Sequence, residues 1–320
     1  MRFGIVILPQ HDWPDAARFW RGAEELGFDH AWTYDHLAWR GLAGERWHAT
    51  VPTLTAAAMV TQRIGLGTFV ASPNYRHPVP FAKDIATVDQ IAGGRVILGL
   101  GSGGTGFDAS VLGQAPLTPR QRHERFTEFA QSLDTLLRFE PAGGLGAAQG
   151  SDVQGADVDG ADASRGPGIS FTGTWYTAHG ARMVGEPAQH PRMPLHLAAN
   201  GTRGIALTVR LADGWITTGR EHDDAAVWWR HIGDLARQVD DACAAAGRDP
   251  QTLARTLSLD TDGRYSLASV GAFEDAIGRA AELGFTDVVS HWPRREGIYA
   301  GDERVLEEAA TRFAAFRGSA

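Results

Sequence analysis

Hydrophobic and polar positions along the chain alternate between two periods. Short runs dense in apolar and β-branched residues recur between longer stretches in which apolar positions return every three or four residues. The first run is RFGIVIL (2–8), followed by an amphipathic stretch at 14–26 and by DHAWTY (29–34). A helical pattern at 51–62 leads to IGLGTFV (64–70), one at 78–92 leads to RVILGLG (95–101), and another runs from 119 until Pro141 interrupts it. Then come PLHLAA (194–199), a helix at 202–212, GWITT (214–218), a helix at 222–247, TLSLD (256–260), a helix at 269–283, FTDVVS (285–290) and a helix at 302–316. A period of two in short runs reads as strand and a period near 3.6 as helix. Eight strands, each followed by a helix, predict a parallel sheet with right-handed crossovers, and eight units are the number that closes a (β/α)8 TIM barrel. A doubly wound open sheet is the alternative. With 320 residues, the whole chain, 1–320, reads as a single barrel domain carrying insertions.

Two segments break the alternation. Residues 140–168 are Gly, Ala and Asp with almost no large apolar side chain, so they have little to bury in return for being ordered, and a mobile surface insertion is expected. The following ISFTGTWYTAHGARMVG alternates like a small hairpin; its Trp175 and Tyr176 either shield one side of a site or simply pack the hairpin.

Composition narrows the choice of partners. The 38 acidic residues outnumber the 30 basic ones and no basic block occurs, which argues against nucleic acid. No apolar run approaches the ~20 residues of a membrane span and no leader pattern precedes MRFGIVILP, so a cytoplasmic protein is expected. The single cysteine, Cys243, in DDACAAAG, reads as a packing residue. The 12 histidines are scattered, H-E-x-x-H is missing, and neither a nucleophile elbow nor a Walker loop is present. No metal is expected.

In a barrel of this kind chemistry sits at the carboxyl ends of the strands. There the chain places YDHLAW, VASPNYRHP, GSGGTGFD, ANGTRG, TTGR, DTDGR and HWPRR. His36 is the candidate for proton transfer, since imidazole titrates near neutrality and Asp35 beside it could influence its ionisation; the alternative is a surface histidine beside a capping aspartate. Trp39 and Trp47 offer flat faces to an aromatic ligand, whereas Trp32 is left to packing. In Ala199-Asn200-Gly201-Thr202-Arg203 a helix begins directly after a strand, so free backbone N–H groups and the positive end of the helix dipole favour a phosphate. A plain N-cap at Asn200 or Thr202 is the competing reading. Thr218 and Arg220, after the sixth strand, could add anion contacts, and Asp108 and His291 are further candidates for contact with substrate.

RVILGLGSGGTGFD (95–108) contains Gly99, Gly101 and Gly104 in G-x-G-x-x-G spacing. A dinucleotide site would need the glycines to open a helix at once and an acid ~20 residues on at the end of the next strand. Here the next helix starts only near Pro119, and Glu124 lies inside it. Gly101, Gly103 and Gly104 are therefore read as clearing space for a flat ring rather than for a nicotinamide dinucleotide.

Three stretches taken together, YDHLAW, LGTFVASPNYRHPVPFAKDIATVDQIAGGRVILGLGSGG and PLHLAANGTRGIALTVRLADGWITTG, resemble the luciferase-like monooxygenase superfamily. Only 140–168 lacks a counterpart. The resemblance implies a flavin or deazaflavin in the barrel mouth and a non-prolyl cis peptide near Phe69-Val70. Within the superfamily, YDH with a nearby Trp and the ADGWITTG ending are similar to the branch that uses coenzyme F420, an 8-hydroxy-5-deazaflavin, and implies that Asp35 and His36 are catalytic and that Trp39 flanks the ring. Where the F420-dependent glucose-6-phosphate dehydrogenases of that branch carry an acid in the glycine loop, this chain has Gly104, with Asp108 the nearest acid; their lysine near strand six is replaced by Arg220. These departures point away from sugar-phosphate oxidation and toward reduction of an electrophilic C=C or C=N. GGTGFDASVLGQ also resembles members of natural-product pathways, including reductases of dehydroalanine in peptides. A small-molecule or peptide substrate and a homodimer are expected. A monooxygenase using reduced FMN and a non-catalytic flavin-binding protein are the alternatives.

Overall fold

The computed structural model describes residues 1–104, 106–140, 168–220, 222, 224–260 and 264–317. Apart from Glu140 and Gly168, the expected insertion lies outside the described residues. Strands β1 (Arg2–Val6), β2 (His30–Thr33), β3 (Gly65–Thr68) and β4 (Val96–Leu100) lie side by side in chain order, and the barrel continues from β4 to β7 (Leu195–Ala198), β8 (Gly214–Thr217), β9 (Ala254–Ser258) and β10 (Asp287–His291). Parallel pairing of β1 with β10, from Arg2 opposite Asp287 to Val6 opposite His291, closes the ring and removes the open-sheet alternative. The remaining strands, β5 (Ile169–Thr172) and β6 (Thr177–Ala181), form an antiparallel hairpin outside the barrel.

Helices α1 (Trp13–Glu25), α2 (Thr50–Val60), α3 (Pro78–Ala92), α4 (Pro119–Leu137), α5 (Thr202–Leu211), α6 (Ala225–Ala246) and α7 (Val270–Glu282) follow the strands as the periodicity predicts. Helix α3 keeps its predicted limits because both ends are coded locally. Pro78 opens it, the His77 ring accepts the Val79 N–H, and Gly93, at φ +63°, ends it in the left-handed conformation. Helix α4 starts with a capping box between Thr118 and Gln121 and with Pro119 in its first turn. The predicted final helix at 302–316 is instead two, α8 (Glu303–Ala310) and α9 (Phe313–Arg317). The Thr311 hydroxyl donates to the Glu308 carbonyl, and the Thr311 and Arg312 amides bond three residues back, which tightens the turn and interrupts the helix.

The barrel floor holds a buried polar layer. Trp32 donates its indole N–H to His30 Nδ1 at 2.6 Å, so the His30 proton resides on Nε2 and is given to Asp287 Oδ1 at 2.9 Å. Trp32, fully buried, is the packing residue expected. Burial alone would raise the Asp287 carboxyl, but the His30 hydrogen bond, the Arg2 charge and the Thr286 hydroxyl outweigh it and hold it well below the usual carboxylate range. His196 lies in the same layer with Nδ1 unpartnered, and burial pushes its pKa down to about 4 from 6.5. Between those two values the unfolded chain binds a proton that the folded barrel refuses, so stability falls as pH drops from 6.5 toward 4 and the loss saturates below that. Chemical denaturation at pH 7 and at pH 4 should differ by a His196 contribution on the order of 3 kcal/mol. His196→Leu should shrink that difference; an unchanged slope in the variant would assign it to other groups.

Cys243 is buried on α6, as a packing residue should be. No described helix is long and apolar enough to cross a membrane.

Candidate active site

The loops after β2, β3 and β4 meet because those strands are adjacent. Phe69-Val70, directly after β3, is a cis peptide, as the resemblance implies. A Cβ on Gly99 would collide with the Thr68 carbonyl, one on Gly101 would lie 2.6 Å from Val70 Cγ2, and Gly103 sits at φ +74° against the Asn74 side chain. Gly101 and Gly103 are thus required by the protein's own packing. Only Gly104 among the three loop candidates faces open space, with no atom nearer than Gly106 N at 3.9 Å. The sequence expectation that all three clear room for a ring is narrowed to this one.

The carboxylate that meets His36 belongs to Asp108, not to Asp35. Asp108, on a short 3-10 turn after β4 and buried, places Oδ2 2.5 Å from His36 Nδ1 and accepts the Leu37 N–H on Oδ1 at 2.9 Å. That contact makes Nδ1 the donor in the neutral imidazole and leaves Nε2, on a half-buried side chain, without a partner among the described residues. Asp35 is fully buried and faces the β3–α3 loop, where Arg76 grips it through Nε and Nη2, both at 2.6 Å, and the Tyr75 hydroxyl donates to it at 2.7 Å. Burial, then the Asp35 charge, push the Tyr75 phenol far up, so it stays a hydrogen-bond donor.

Tyr34 anchors a second chain of contacts. Its hydroxyl lies 2.8 Å from His291 Nε2 and 3.2 Å from the Tyr299 hydroxyl, while His291 Nδ1 is 3.0 Å from Asp260 Oδ2. Burial drives the Tyr34 phenol well above its ordinary range. His291 is 1% exposed and stacks on Tyr299 with centroids 3.8 Å apart. It therefore supports the site from below, and the expectation of direct substrate contact is corrected: the last residue of β10 turns inward among packed rings. Trp39 packs edge-on to Tyr34 at 5.1 Å and stacks with Trp47 at 6.4 Å, so the two tryptophans form one wall at the mouth. The Trp47 indole nitrogen is buried without a partner.

A cleft of about 520 Å³ opens between the N-termini of α4 and α5, lined by Ser102, Arg122, His123, Ala199 and Gly201 to Gly204. Gly201 is the N-cap of α5 and no side chain caps that helix, so neither predicted N-cap, Asn200 or Thr202, is used and the first amides stay available to an anion. Asn200, expected as a phosphate donor, also lines this cleft, and its side chain braces the loop after β8: it donates to the Gly219 carbonyl at 2.9 Å and accepts from the Thr217 hydroxyl at 2.6 Å. Thr202 and Arg203 are exposed at the cleft. Burial and then the Arg203 charge lower the His123 pKa. Arg122 and His123 were not legible as site residues; the only signal was the T-P-R-Q cap that starts α4. Thr218 and Arg220 are exposed after β8 and do not line this cleft. Among the described residues no group of three or more metal-ligating side chains forms.

The closed barrel thus carries a paired His and carboxylate at its mouth and uncapped helix amides at the α4/α5 cleft. The sequence matches the luciferase-like monooxygenase family over residues 1–261, and the chain belongs to that family. It is 31% identical over 324 residues to an F420-dependent glucose-6-phosphate dehydrogenase of Nakamurella multipartita, covering 98% of this chain and 82% of the relative. It is 30% identical over 272 residues to an F420-dependent hydroxymycolic acid dehydrogenase of Mycobacterium tuberculosis, where the match covers 82% of this chain but only 61% of that relative. Among solved structures, an F420-dependent secondary alcohol dehydrogenase bound to an F420-acetone adduct superposes with a TM-score of 0.73 at 16% identity, covering 96% of this chain and 97% of the other, a likeness of fold.

Proposed function

We propose that this chain is an oxidoreductase that uses coenzyme F420 and reduces an electrophilic C=C or C=N, in a natural product or a dehydroalanine-containing peptide. The observation that carries the reading is the His36–Asp108 pair with Nε2 left free at the mouth. The relatives named as F420-dependent dehydrogenases support the coenzyme. The residues present fit that coenzyme: the α5 amides, Arg203 and Arg122 suit its phosphate, and the open face at Gly104 suits a flat ring. When bound, the deazaflavin supplies or accepts the hydride.

The protein's part is placement and proton handling. Asp108 orients the imidazole through Nδ1, so the proton exchanged with substrate is carried at Nε2. In the reducing direction protonated His36 gives that proton as hydride arrives; neutral His36 would take one from an alcohol in the opposite direction. The relatives named as dehydrogenases are the reason for keeping that opposite direction as a second reading. Trp39 and Trp47 wall the mouth, and buried Asp35, through Arg76 and Tyr75, ties the β2 loop to the β3 loop.

Fluorescence titration should show F420 binding at least tenfold more tightly than FMN, a difference of about 1.4 kcal/mol. The reverse order would favour the FMN-dependent monooxygenase. Arg203→Ala should weaken the whole coenzyme by about 1 to 3 kcal/mol and spare a phosphate-free deazaflavin. Equal losses for both ligands would move the phosphate elsewhere. Mixing bound reduced and bound oxidised F420 with unsaturated and alcohol substrates, followed by absorbance, separates the two directions.

A further inference from the structure

A second cleft, also of about 520 Å³, lies between α4, the β3–α3 loop and the β5–β6 hairpin, and includes Asn74, Arg76, Arg125, Trp175 and Tyr176 in its lining. The charge balance of this cleft is unusual for the molecule. Among the described residues three arginines are less than one-tenth exposed: Arg125, Arg192 and Arg255. Arg192 is held by Asp134 and Asp213, and Arg255 by Asp240. Arg125 has no carboxylate partner among the described residues. Its guanidinium donates to the neutral amides of Asn74, at 2.5 Å, and Gln114, at 3.4 Å, and its Nε–H has no acceptor. The neighbouring acids are already committed, Asp35 to Arg76 and Tyr75, and Glu128 to the amides of Thr174, Trp175 and Tyr176. Beside Arg125 the Tyr176 hydroxyl is buried and has no partner either.

A buried cation facing only neutral groups is costly, and so is a buried hydroxyl with nothing to bond. Burial lowers the Arg125 pKa, consistent with a charge that the protein leaves uncompensated. A carboxylate would satisfy both groups at once, because a guanidinium edge binds two carboxylate oxygens in a fork while a phenol can donate to one of them.

We propose that this cleft is a carboxylate-binding subsite, in which Arg125 and Tyr176 receive an acidic arm of a ligand whose remainder lies at the barrel mouth. Asn74 joins the two regions, since its amide reaches both Arg125 and the Gly104 carbonyl. The arm belongs either to the substrate or to the coenzyme. The subsite does not depend on which coenzyme the barrel takes.

The test is calorimetric titration of the protein with glutarate, and with glutaramide as the uncharged control. Saturable glutarate binding is expected, with glutaramide at least about tenfold weaker, and Arg125→Met should weaken glutarate by about tenfold or more. Tyr176→Phe, which removes one oxygen atom and keeps the guanidinium, should weaken it several-fold and decides the matter if Arg125→Met does not fold. Repeating the titration on F420-saturated protein separates the sources: glutarate excluded by F420 assigns the arm to the coenzyme, and glutarate bound alongside it assigns the arm to the substrate. The proposal is overturned if glutarate does not bind the unliganded protein, if glutaramide binds as well, or if Tyr176→Phe and a folded Arg125→Met bind glutarate like the parent. Failure of F420 to bind would count against the coenzyme reading alone, because the glutarate titrations do not require it.

Discussion

Replacing His36 with alanine is expected to lower turnover by about 10²- to 10⁴-fold, the usual worth of a positioned proton transfer. The motive is geometric. His36 is the one imidazole at the mouth that is partly open, has its Nδ1 fixed by a buried carboxylate and keeps Nε2 free. His291, the histidine that ends β10, spends both nitrogens on Asp260 and Tyr34. Asp108→Asn should do less damage than His36→Ala, because it perturbs the orientation of the ring without removing it. Coenzyme affinity should change much less than turnover in both variants. The measurement is single-turnover oxidation of bound reduced F420 by an active substrate across pH 5 to 9. A His36→Ala protein that reacts as fast as the parent throughout would mean that the proton comes from water or another group.

Removing Arg76 is expected to cost more stability than any other single change at the mouth. Asp35 is fully buried, and Arg76 supplies two of its three side-chain hydrogen bonds. Breaking a buried ion pair from one side leaves an uncompensated charge, typically a loss of about 3 to 5 kcal/mol. Arg76→Met should therefore lose that much in urea denaturation, whereas Arg76→Met combined with Asp35→Leu should recover a large part of it, because no bare carboxylate remains. If the double variant is as unstable as the single one, the arginine matters through its packing over the Phe81 ring, 4.3 Å from the centroid, and not through charge. This result would also fix the role of Asp35 as a positioning residue that holds the β2 and β3 loops together.

The order of strands and helices was legible because each βα unit carries its own period and its own stop signals, as Pro78 and Gly93 do for α3. The break at Thr311 was not, since it is made by a hydroxyl competing for a carbonyl, and no Gly or Pro marks it. The mouth was half legible. His36 stands out by its chemistry, but its partner Asp108 is 72 positions away and arrives only through the lateral neighbourhood of β2, β3 and β4. Adjacency in sequence suggested Asp35 instead, yet successive side chains on extended backbone point to opposite sides, and here they serve different partners. For the same reason the glycines of the β4 loop looked alike in sequence. The Val70 side chain and the Asn74 amide, both from the preceding loop, decide that Gly101 and Gly103 are needed for packing.

Six of the eight lateral contacts in the barrel wall join strands that are consecutive in the chain, and two joints differ in kind: β1 to β10, and β4 to β7, where Leu98 meets Leu195 across 97 positions of chain. The chain thus forms two half-barrels, one from β1 to β4 and one from β7 to β10, each able to assemble through short-range contacts before the distant edges dock. The α4/α5 cleft straddles the second joint, with Arg122 and His123 on one half and Gly201 to Arg203 on the other. An anion bound there, as proposed, would require the halves to be docked and would act as a clamp between them. Its contribution grows as RT ln(1 + [L]/Kd), about 2.7 kcal/mol when the ligand is present at about a hundred times its dissociation constant. With the anion proposed for this cleft, the resistance of the barrel to thermal opening would rise with the amount of that ligand in its surroundings.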